Sequence, residues 1–294
     1  MSKIQLEQIL QMSAKNPPPE NGAPEAMRSW WEATMGQTPI VEGCRIERVA
    51  AGPLGGDLLR APGADGKDLT IFYHGGGFMF GSSRSHRVIA SHLSRLSGGP
   101  VLAADYRLAP EHPAPAAHDD ALATYEWALA HGYSPKTVTL CGDSAGGNLA
   151  LATALKARDK GLPLPGALAL FSPAVDLACK GETVKTLADA PLLSPELMRV
   201  FATLYTGGGD TKAPSVSPLF ADVHRMPPTL IHVGSWEILL SDSTRLAEAM
   251  RKAGVRVELK VWDGMCHDWQ LFAPFLDEGM RSLEETAAFI RAAR

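Results

Sequence analysis

"LCGDSAGGNLA", residues 140–150, joins the end of an apolar segment to an alanine-rich one through a very short turn. Gly142, Ser144 and Gly146 form the pattern G-x-S-x-G between a predicted strand and a predicted helix. That setting is typical of a nucleophile elbow, a sharp turn that projects a serine hydroxyl from the edge of a sheet. Glycines leave room for the backbone at such a turn. The stretch therefore predicts Ser144 as a nucleophile, with a tight structural turn as the alternative.

Apolar segments of strand length alternate with segments of helical length on both sides of this turn. The predicted strands lie at 45–50, 56–60, 69–74, 100–105, 136–141, 166–171, 228–233 and 255–262. From the third strand onward, helices are predicted between them, near 85–97, 116–131, 145–160, 242–253 and 278–293. This alternation predicts a largely parallel sheet that is covered by helices on both faces.

Two regions fall outside that alternation. Helices predicted at about 4–14 and 24–35 precede the first strand. The segment 172–227 is too long for a simple connection and has a helical pattern of its own near 194–205. We therefore interpret this segment as an insertion packed over the edge of the sheet.

Composition narrows the class of partner. The chain has 294 residues, 20% of them charged, and a formal net charge of −4, which predicts neither a basic nucleic-acid face nor a basic membrane patch. The N-terminal segment has no continuous apolar run, so we expect neither a signal peptide nor a membrane anchor. A cytoplasmic location is therefore expected. The four cysteines contain no C-x-x-C pair, which argues against a disulfide framework and a zinc site.

A serine nucleophile also needs a base, an orienting carboxylate and donors for the oxyanion. Three glycines follow a predicted strand in "YHGGGFMFG", residues 73–81, where backbone N–H groups can face a substrate oxygen. A flexible glycine-rich loop is the alternative. Among nine histidines, His267 follows the last predicted strand and completes the order Ser, acid, His. His74, His112 and His118 are better explained by packing or turn formation.

Four blocks taken together resemble a known family. They are "HGGGF" at 74–78, "DYRLAPEHPAPA" at 105–116, "GDSAGGNLA" at 142–150 and "GMCHDW" at 264–269. In this order they resemble the bacterial hormone-sensitive-lipase family (family IV) of α/β-hydrolase esterases. The resemblance implies an α/β fold with a mostly parallel eight-stranded sheet, flanking helices and a helical cap. It also implies carboxylester hydrolysis that needs no metal or cofactor.

The resemblance further divides the chain and suggests the remaining site residues. Segments 1–44 and 185–215 would form the cap, and segments 45–184 and 216–294 the catalytic core. The oxyanion donors would be the backbone N–H groups of Gly76, Gly77 and Ala145. Glu237 falls at the position of the orienting acid, where the family usually has aspartate. Asp242 competes for this role, although it lies at a predicted helix start, where aspartate normally caps free N–H groups. Asp263 and Asp268 are the remaining candidates for the orienting acid.

The substrate pocket is predicted from aromatic residues. Phe78 and Phe80 lie beside the glycine loop. Trp30 and Trp31 lie in the N-terminal segment, where either pocket lining or ordinary cap packing is expected. Within "DYRLAPEHPAPA", Asp105 and Arg107 are expected to pair across the turn and to have a structural role.

These observations predict a serine carboxylesterase for short- to medium-chain acyl esters, with lactones as a further candidate class. The expected partner is a small-molecule ester; nucleic acid is not expected, and a homodimer stays open. An amidase or acyltransferase could use the same three side chains. A non-catalytic small-molecule receptor on the same fold is the other alternative, although such proteins tend to lack the base, which "GMCHDW" retains.

Overall fold

Eight strands form one sheet in the computed structural model, which describes residues 2–19 and 23–293. The strands are Arg45–Val49 (β1), Gly56–Arg60 (β2), Thr70–Tyr73 (β3), Val101–Ala104 (β4), Thr139–Asp143 (β5), Ala167–Phe171 (β6), Thr229–Gly234 (β7) and Val257–Trp262 (β8). Their spatial order is β1-β2-β4-β3-β5-β6-β7-β8. Strand β2 runs antiparallel to β1 and β4, and all other pairs are parallel. The mostly parallel eight-stranded sheet is therefore confirmed.

Nine α-helices occur in the described part of the chain. They are Ser2–Lys15 (α1), Pro24–Met35 (α2), Arg87–Ser97 (α3), Ala116–Ala130 (α4), Ala145–Asp159 (α5), Thr183–Thr186 (α6), Pro195–Thr206 (α7), Leu240–Lys252 (α8) and Asp277–Ala292 (α9). All but the short α6 were predicted. None of these helices has both the length and the apolar character needed to span a membrane. Residues 1, 20–22 and 294, which belong to the predicted cap and core segments, lie outside the described residues.

The central strands are apolar throughout because helices cover both faces of the sheet. Ile71 and Phe72 are consecutive in β3 and point into different cores, as side chains alternate along a strand. The Phe72 side packs against α3 and α9, with Leu93 and Leu283 in the contact. The Ile71 side packs against α4, α5 and α8, with Leu149 among its buried residues. Burying one such leucine contributes about 1.5–3 kcal/mol.

The two N-terminal helices lie over the carboxyl edge of the sheet as a cap. In α2, the Arg28 guanidinium donates to the carbonyl oxygens of Met79 and Ala109, each at 2.9 Å, and pairs with Glu111 at 2.6 Å. In α1, Leu6 and Ile9 pack in a cluster with residues 262–276. The cap is therefore attached both to the glycine loop and to the loop after β8, and the predicted N-terminal cap helices are confirmed.

Helix α7, within the predicted insertion, also contacts the glycine loop. The side chain of Ser194 caps its first turn by accepting a hydrogen bond from the N–H of Leu197 at 3.1 Å. Its Tyr205 ring stacks on Phe78 with 3.8 Å between ring centroids, and its Phe201 ring meets Phe80 edge-on at 5.7 Å. Aromatic packing thus holds α7 against the loop.

One predicted pair is not formed. Asp105 accepts hydrogen bonds from Arg48 at 2.5 Å and from the N–H of Ser83 at 2.6 Å. Arg107 instead pairs with the buried Asp120 of α4, with its closest contact at 2.7 Å. The prediction that Asp105 and Arg107 pair was wrong because Asp120 presents both carboxylate oxygens to the guanidinium, a stronger arrangement than a single contact.

Candidate active site

Ser144 lies at the sharp turn between β5 and α5. Its backbone has φ 52° and ψ −115°, outside the regions favoured by residues with a side chain. Its N–H donates to the carbonyl of Phe171 at 2.9 Å, and its carbonyl accepts from the N–H of Ala174 at 3.0 Å. Such a conformation costs about 1–3 kcal/mol and persists only where the surroundings hold it. Hydrogen bonds to the end of β6 and to the segment beyond it supply that restraint.

The two glycines of the motif allow this turn to pack closely. A Cβ atom on Gly146 would lie 1.9 Å from the carbonyl oxygen of Tyr73. A Cβ atom on Gly142 would lie 2.4 Å from the carbonyl carbon of Gly146. Both contacts are with backbone, which cannot move aside as a flexible side chain can. The G-x-S-x-G spacing is therefore a steric requirement of the turn.

His267 joins the serine to a carboxylate. It lies on the loop after β8, with Nε2 3.0 Å from Ser144 Oγ and Nδ1 2.9 Å from Glu237 Oε2. All three side chains are buried, with relative exposures of 7%, 8% and 1% for Ser144, His267 and Glu237. A serine hydroxyl, an imidazole and a carboxylate in this order form the arrangement that activates a serine nucleophile.

Glu237 follows β7 and is oriented by two further groups. Its Oε1 accepts hydrogen bonds from the Ser172 hydroxyl at 2.6 Å and from the Gly234 N–H at 2.7 Å. These bonds leave Oε2 facing His267. Ser172, which directly follows β6 with φ 41°, was not identified from the sequence. The one available signal was its position, because the carboxyl ends of parallel strands meet at one edge of the sheet.

Asp242, the competing acid, has a different role. Its Oδ2 accepts hydrogen bonds from the N–H groups of Val175 and Asp176 at 3.1 and 2.9 Å. Burial raises the pKa of this carboxyl to about 8. The expectation that it caps a helix was wrong, because α8 begins two residues earlier, at Leu240, and the amides after β6 lie within reach. Asp263, on the loop after β8, lies with Oδ1 3.4 Å from the Ser235 hydroxyl.

Asp268 contacts the histidine from the other side. Its Oδ2 lies 3.0 Å from Nε2 of His267, the nitrogen that also faces the serine. Burial raises the pKa of Asp268 above its ordinary value. Burial opposes the charged form of His267 as well, but Asp268 and Glu237 outweigh it and raise the pKa of the imidazole. Two carboxylates therefore flank one imidazole.

The glycine loop offers backbone donors beside the serine. Gly76 and Gly77 have φ 106° and 60°, a backbone geometry that glycine adopts readily. Gly75 donates its N–H to Asp143 Oδ1 at 3.0 Å, which ties the loop to the turn that carries Ser144. Within residues 2–19 and 23–293, no hydrogen bond uses the N–H groups of Gly76, Gly77 or Ala145. Ala145 is the first residue of α5, where an N–H has no partner inside the helix.

Aromatic side chains surround this loop. We call Trp31, Phe80 and Phe201 the aromatic wall; the Phe80 ring centroid lies 5.1 Å from that of Trp31 and 5.7 Å from that of Phe201. A Cβ atom on Gly77 would lie 2.3 Å from the Phe201 ring, so the wall reaches the loop itself. Phe201 was not identified from the sequence. The Trp30 ring lies next to that of Trp31, with 5.9 Å between centroids.

Phe78 and two of the other histidines are packing residues in this structure. Phe78 is almost fully buried and stacks on Tyr205. The ring of His74 stacks on Tyr106 at 4.1 Å, and His118 Nε2 lies 3.0 Å from Asn148 Oδ1. Burial lowers the pKa of both imidazoles to about 4. His112 is exposed.

Comparison with known proteins gives consistent matches over most of the chain. Residues 70–271 match a family model described as alpha/beta hydrolase fold. An acetyl-hydrolase of Streptomyces hygroscopicus is 42% identical over 246 residues, covering 83% of this chain and 82% of that protein. An esterase of Acinetobacter venetianus is 34% identical over 285 residues, covering 96% and 94%.

Solved structures match equally well. An esterase from the bacterial hormone-sensitive lipase family superposes with a TM-score of 0.95 at 39% identity, covering 98% of both chains. EstE5, in a crystal soaked with p-nitrophenyl butyrate, superposes with a TM-score of 0.93 at 35% identity, also covering 98% of both chains.

Proposed function

The chain belongs to the bacterial hormone-sensitive-lipase family of α/β-hydrolases and is an ester hydrolase, and we propose that it is a serine carboxylesterase for short- to medium-chain acyl esters. Ser144 is the nucleophile, His267 the base and Glu237 the orienting acid. The observation that carries the proposal is the hydrogen-bonded series from Ser144 Oγ through His267 to Glu237, with steps of 3.0 and 2.9 Å. Lactones present the same carbonyl chemistry and fall within the proposed substrate class.

Acylation begins with attack on the ester carbonyl. Nε2 of His267 takes the hydroxyl proton as Ser144 Oγ bonds to the carbonyl carbon. Glu237 keeps the other proton on Nδ1 and stabilises the imidazolium that forms. The negative charge on the substrate oxygen is held by the N–H groups of Gly76, Gly77 and Ala145, and the positive end of the α5 dipole adds to this stabilisation.

Collapse of the tetrahedral intermediate completes the first half of the reaction. The imidazolium of His267 donates its proton to the leaving alkoxide oxygen, and the alcohol departs from the acyl-enzyme. Water then attacks the acyl carbon while His267 accepts one of its protons. Return of that proton to Ser144 Oγ releases the carboxylic acid and regenerates the enzyme.

The aromatic wall supports the limit on chain length. Its three rings come from α2, the glycine loop and α7, and they crowd the side of the loop that Gly77 forms. Bulky rings at that position restrict the volume for an acyl group. A relative named acetyl-hydrolase and the p-nitrophenyl butyrate used with EstE5 crystals point to the same size class.

Replacing Ser144 by alanine tests the proposal. We expect hydrolysis of p-nitrophenyl acetate and butyrate to fall by at least about 10³-fold, and a fluorophosphonate probe to label wild type only. Ser97→Ala is the matched control, because Ser97 is also a buried serine, and its hydroxyl has no hydrogen-bond partner in the described residues; it should keep full activity. A Ser144→Ala variant with a tenth of wild-type turnover would exclude Ser144 as nucleophile.

The same assay separates the alternatives. An amidase would also hydrolyse the matching p-nitroanilide at a substantial rate, whereas an esterase would leave the anilide nearly intact. An acyltransferase would transfer the acyl group to an added alcohol in preference to water. A non-catalytic receptor would bind esters without turnover and without labelling at Ser144.

A further inference from the structure

Asp268 shares one imidazole nitrogen with the nucleophile. Its Oδ2 and Ser144 Oγ each lie 3.0 Å from Nε2 of His267. The other carboxyl oxygen, Oδ1, is buried and has no hydrogen-bond partner among residues 2–19 and 23–293. The residue adopts a left-handed backbone conformation, with φ 51° and ψ 38°. An esterase mechanism with one orienting acid does not use this second carboxyl group.

A proton must lie between Asp268 and His267. Nδ1 keeps its proton for Glu237, so a neutral ring presents a lone pair at Nε2. The Asp268 carboxylate oxygen, 3.0 Å from Nε2, is repelled by that lone pair, because both groups are acceptors. The contact becomes favourable when either Nε2 or Oδ2 carries a proton. In both forms Nε2 is occupied and cannot accept the proton of Ser144.

The charges around this pair favour retention of that proton. Three charged or titratable groups from other elements face Asp268. They are Glu237 on the loop after β7, Asp143 at the end of β5 and His86 at the start of α3. His86 lies with Nε2 3.3 Å from Asp143 Oδ2, so its positive form is already paired. On the same loop, Asp263 is exposed, and burial raises the pKa of the adjacent Cys266 thiol above the ordinary range, which keeps the thiol neutral. Besides Asp268 itself, two further carboxyl groups, Glu237 and Asp143, therefore act on this pair, and their negative charge favours retention of the proton.

We propose that Asp268 holds the catalytic base in a protonated resting state, so that the enzyme becomes active only at higher pH than a Glu237–His267 pair alone would require. The inference rests on the proposed function, since it assigns a regulatory role at the same histidine. Once the shared proton leaves, Nε2 accepts the proton of Ser144, and the Asp268 carboxylate then stabilises the imidazolium. Asp268 thus raises the pH of onset and also raises the maximal rate.

Asp268→Asn removes the charge while keeping the shape of the side chain. Asparagine is one of the residues that tolerate a left-handed backbone, so the variant is expected to fold. An opposite charge at this distance typically changes a pKa by about 1–3. We therefore expect the midpoint of the acid limb of kcat/KM to move down by about 1–3 pH units, with a lower plateau. Asp263→Asn, on the same loop but exposed, is the control and should keep the wild-type midpoint.

The assay follows hydrolysis of p-nitrophenyl butyrate from about pH 4.5 to about pH 10, which spans the ordinary and the raised pKa of a histidine. The non-enzymatic rate is subtracted at each pH. An acid limb in Asp268→Asn that coincides with that of wild type overturns the proposal. So does an equal shift in Asp263→Asn, because the effect would then be one of overall charge.

Nitrogen NMR of the labelled His267 ring provides a readout that needs no turnover. In wild type the ring should stay positively charged well above its ordinary pKa of 6.5, and in Asp268→Asn it should lose its charge at lower pH. A wild-type ring that titrates at or below its ordinary pKa overturns the inference even if the variant does not fold. Absence of ester hydrolysis at every pH would instead reject the proposed function, while the titration would still decide the Asp268–His267 contact.

Discussion

Replacement of Glu237 by glutamine should invert the proton arrangement of His267. Oε1 of Glu237 accepts hydrogen bonds from the Ser172 hydroxyl and the Gly234 N–H at 2.6 and 2.7 Å. The backbone N–H can only donate, so the amide oxygen of the variant must occupy the Oε1 position. The amide NH₂ then stands at the Oε2 position, 2.9 Å from Nδ1 in the wild type.

That orientation determines the size of the effect. An NH₂ group donates to Nδ1, which forces the ring proton onto Nε2, and an Nε2–H group cannot accept the proton of Ser144. A wrong tautomer of this kind costs about 10⁴-fold in kcat in serine proteases. At about 1.36 kcal/mol for each tenfold step, this corresponds to about 5 kcal/mol of transition-state stabilisation.

Asp242→Asn is the matched comparison. The Asp242 carboxyl is buried, accepts two backbone N–H bonds and has a pKa raised to about 8, so it is largely neutral at pH 7. An amide oxygen preserves both bonds, and kcat should stay nearly unchanged. Both variants are assayed for kcat with p-nitrophenyl butyrate and for thermal midpoint. An active Glu237→Gln beside a folded but inactive Asp242→Asn would refute the reasoning and reverse the assignment.

Two further substitutions test the supports of the site. Ser172→Ala removes one hydrogen bond to the buried Glu237 carboxylate, and such a bond is worth about 1.5–3 kcal/mol. We therefore expect kcat to fall roughly 10- to 100-fold with little change in KM. An unchanged kcat would mean that Gly234 alone orients Glu237. Arg28→Ala removes the contacts of α2 with the carbonyls of Met79 and Ala109, which should loosen the cap and raise the rate on p-nitrophenyl decanoate relative to butyrate. An unchanged ratio in a folded Arg28→Ala variant would show that α2 does not limit the acyl site.

Local chemistry explains why so much of the fold could be predicted from the sequence. Strand and helix periods depend on near neighbours in the chain, and the predicted strands and longer helices match the observed ones to within a few residues. The turn at Ser144 was recognisable because Gly142 and Gly146 are the residues that a close backbone approach requires. The family resemblance, carried by four short blocks, is confirmed by relatives that cover nearly the whole chain.

Contacts between distant segments were decided only by the tertiary structure. Ser172 meets Glu237 from a neighbouring strand end, Asp242 binds amides 66 and 67 residues away in the chain, and Phe201 reaches the glycine loop from α7. The approach of Asp268 to Nε2 depends on a left-handed backbone that no local pattern indicated. Such contacts follow from how strands register and helices pack in three dimensions, whereas sequence spacing specifies only which residues are neighbours along one element.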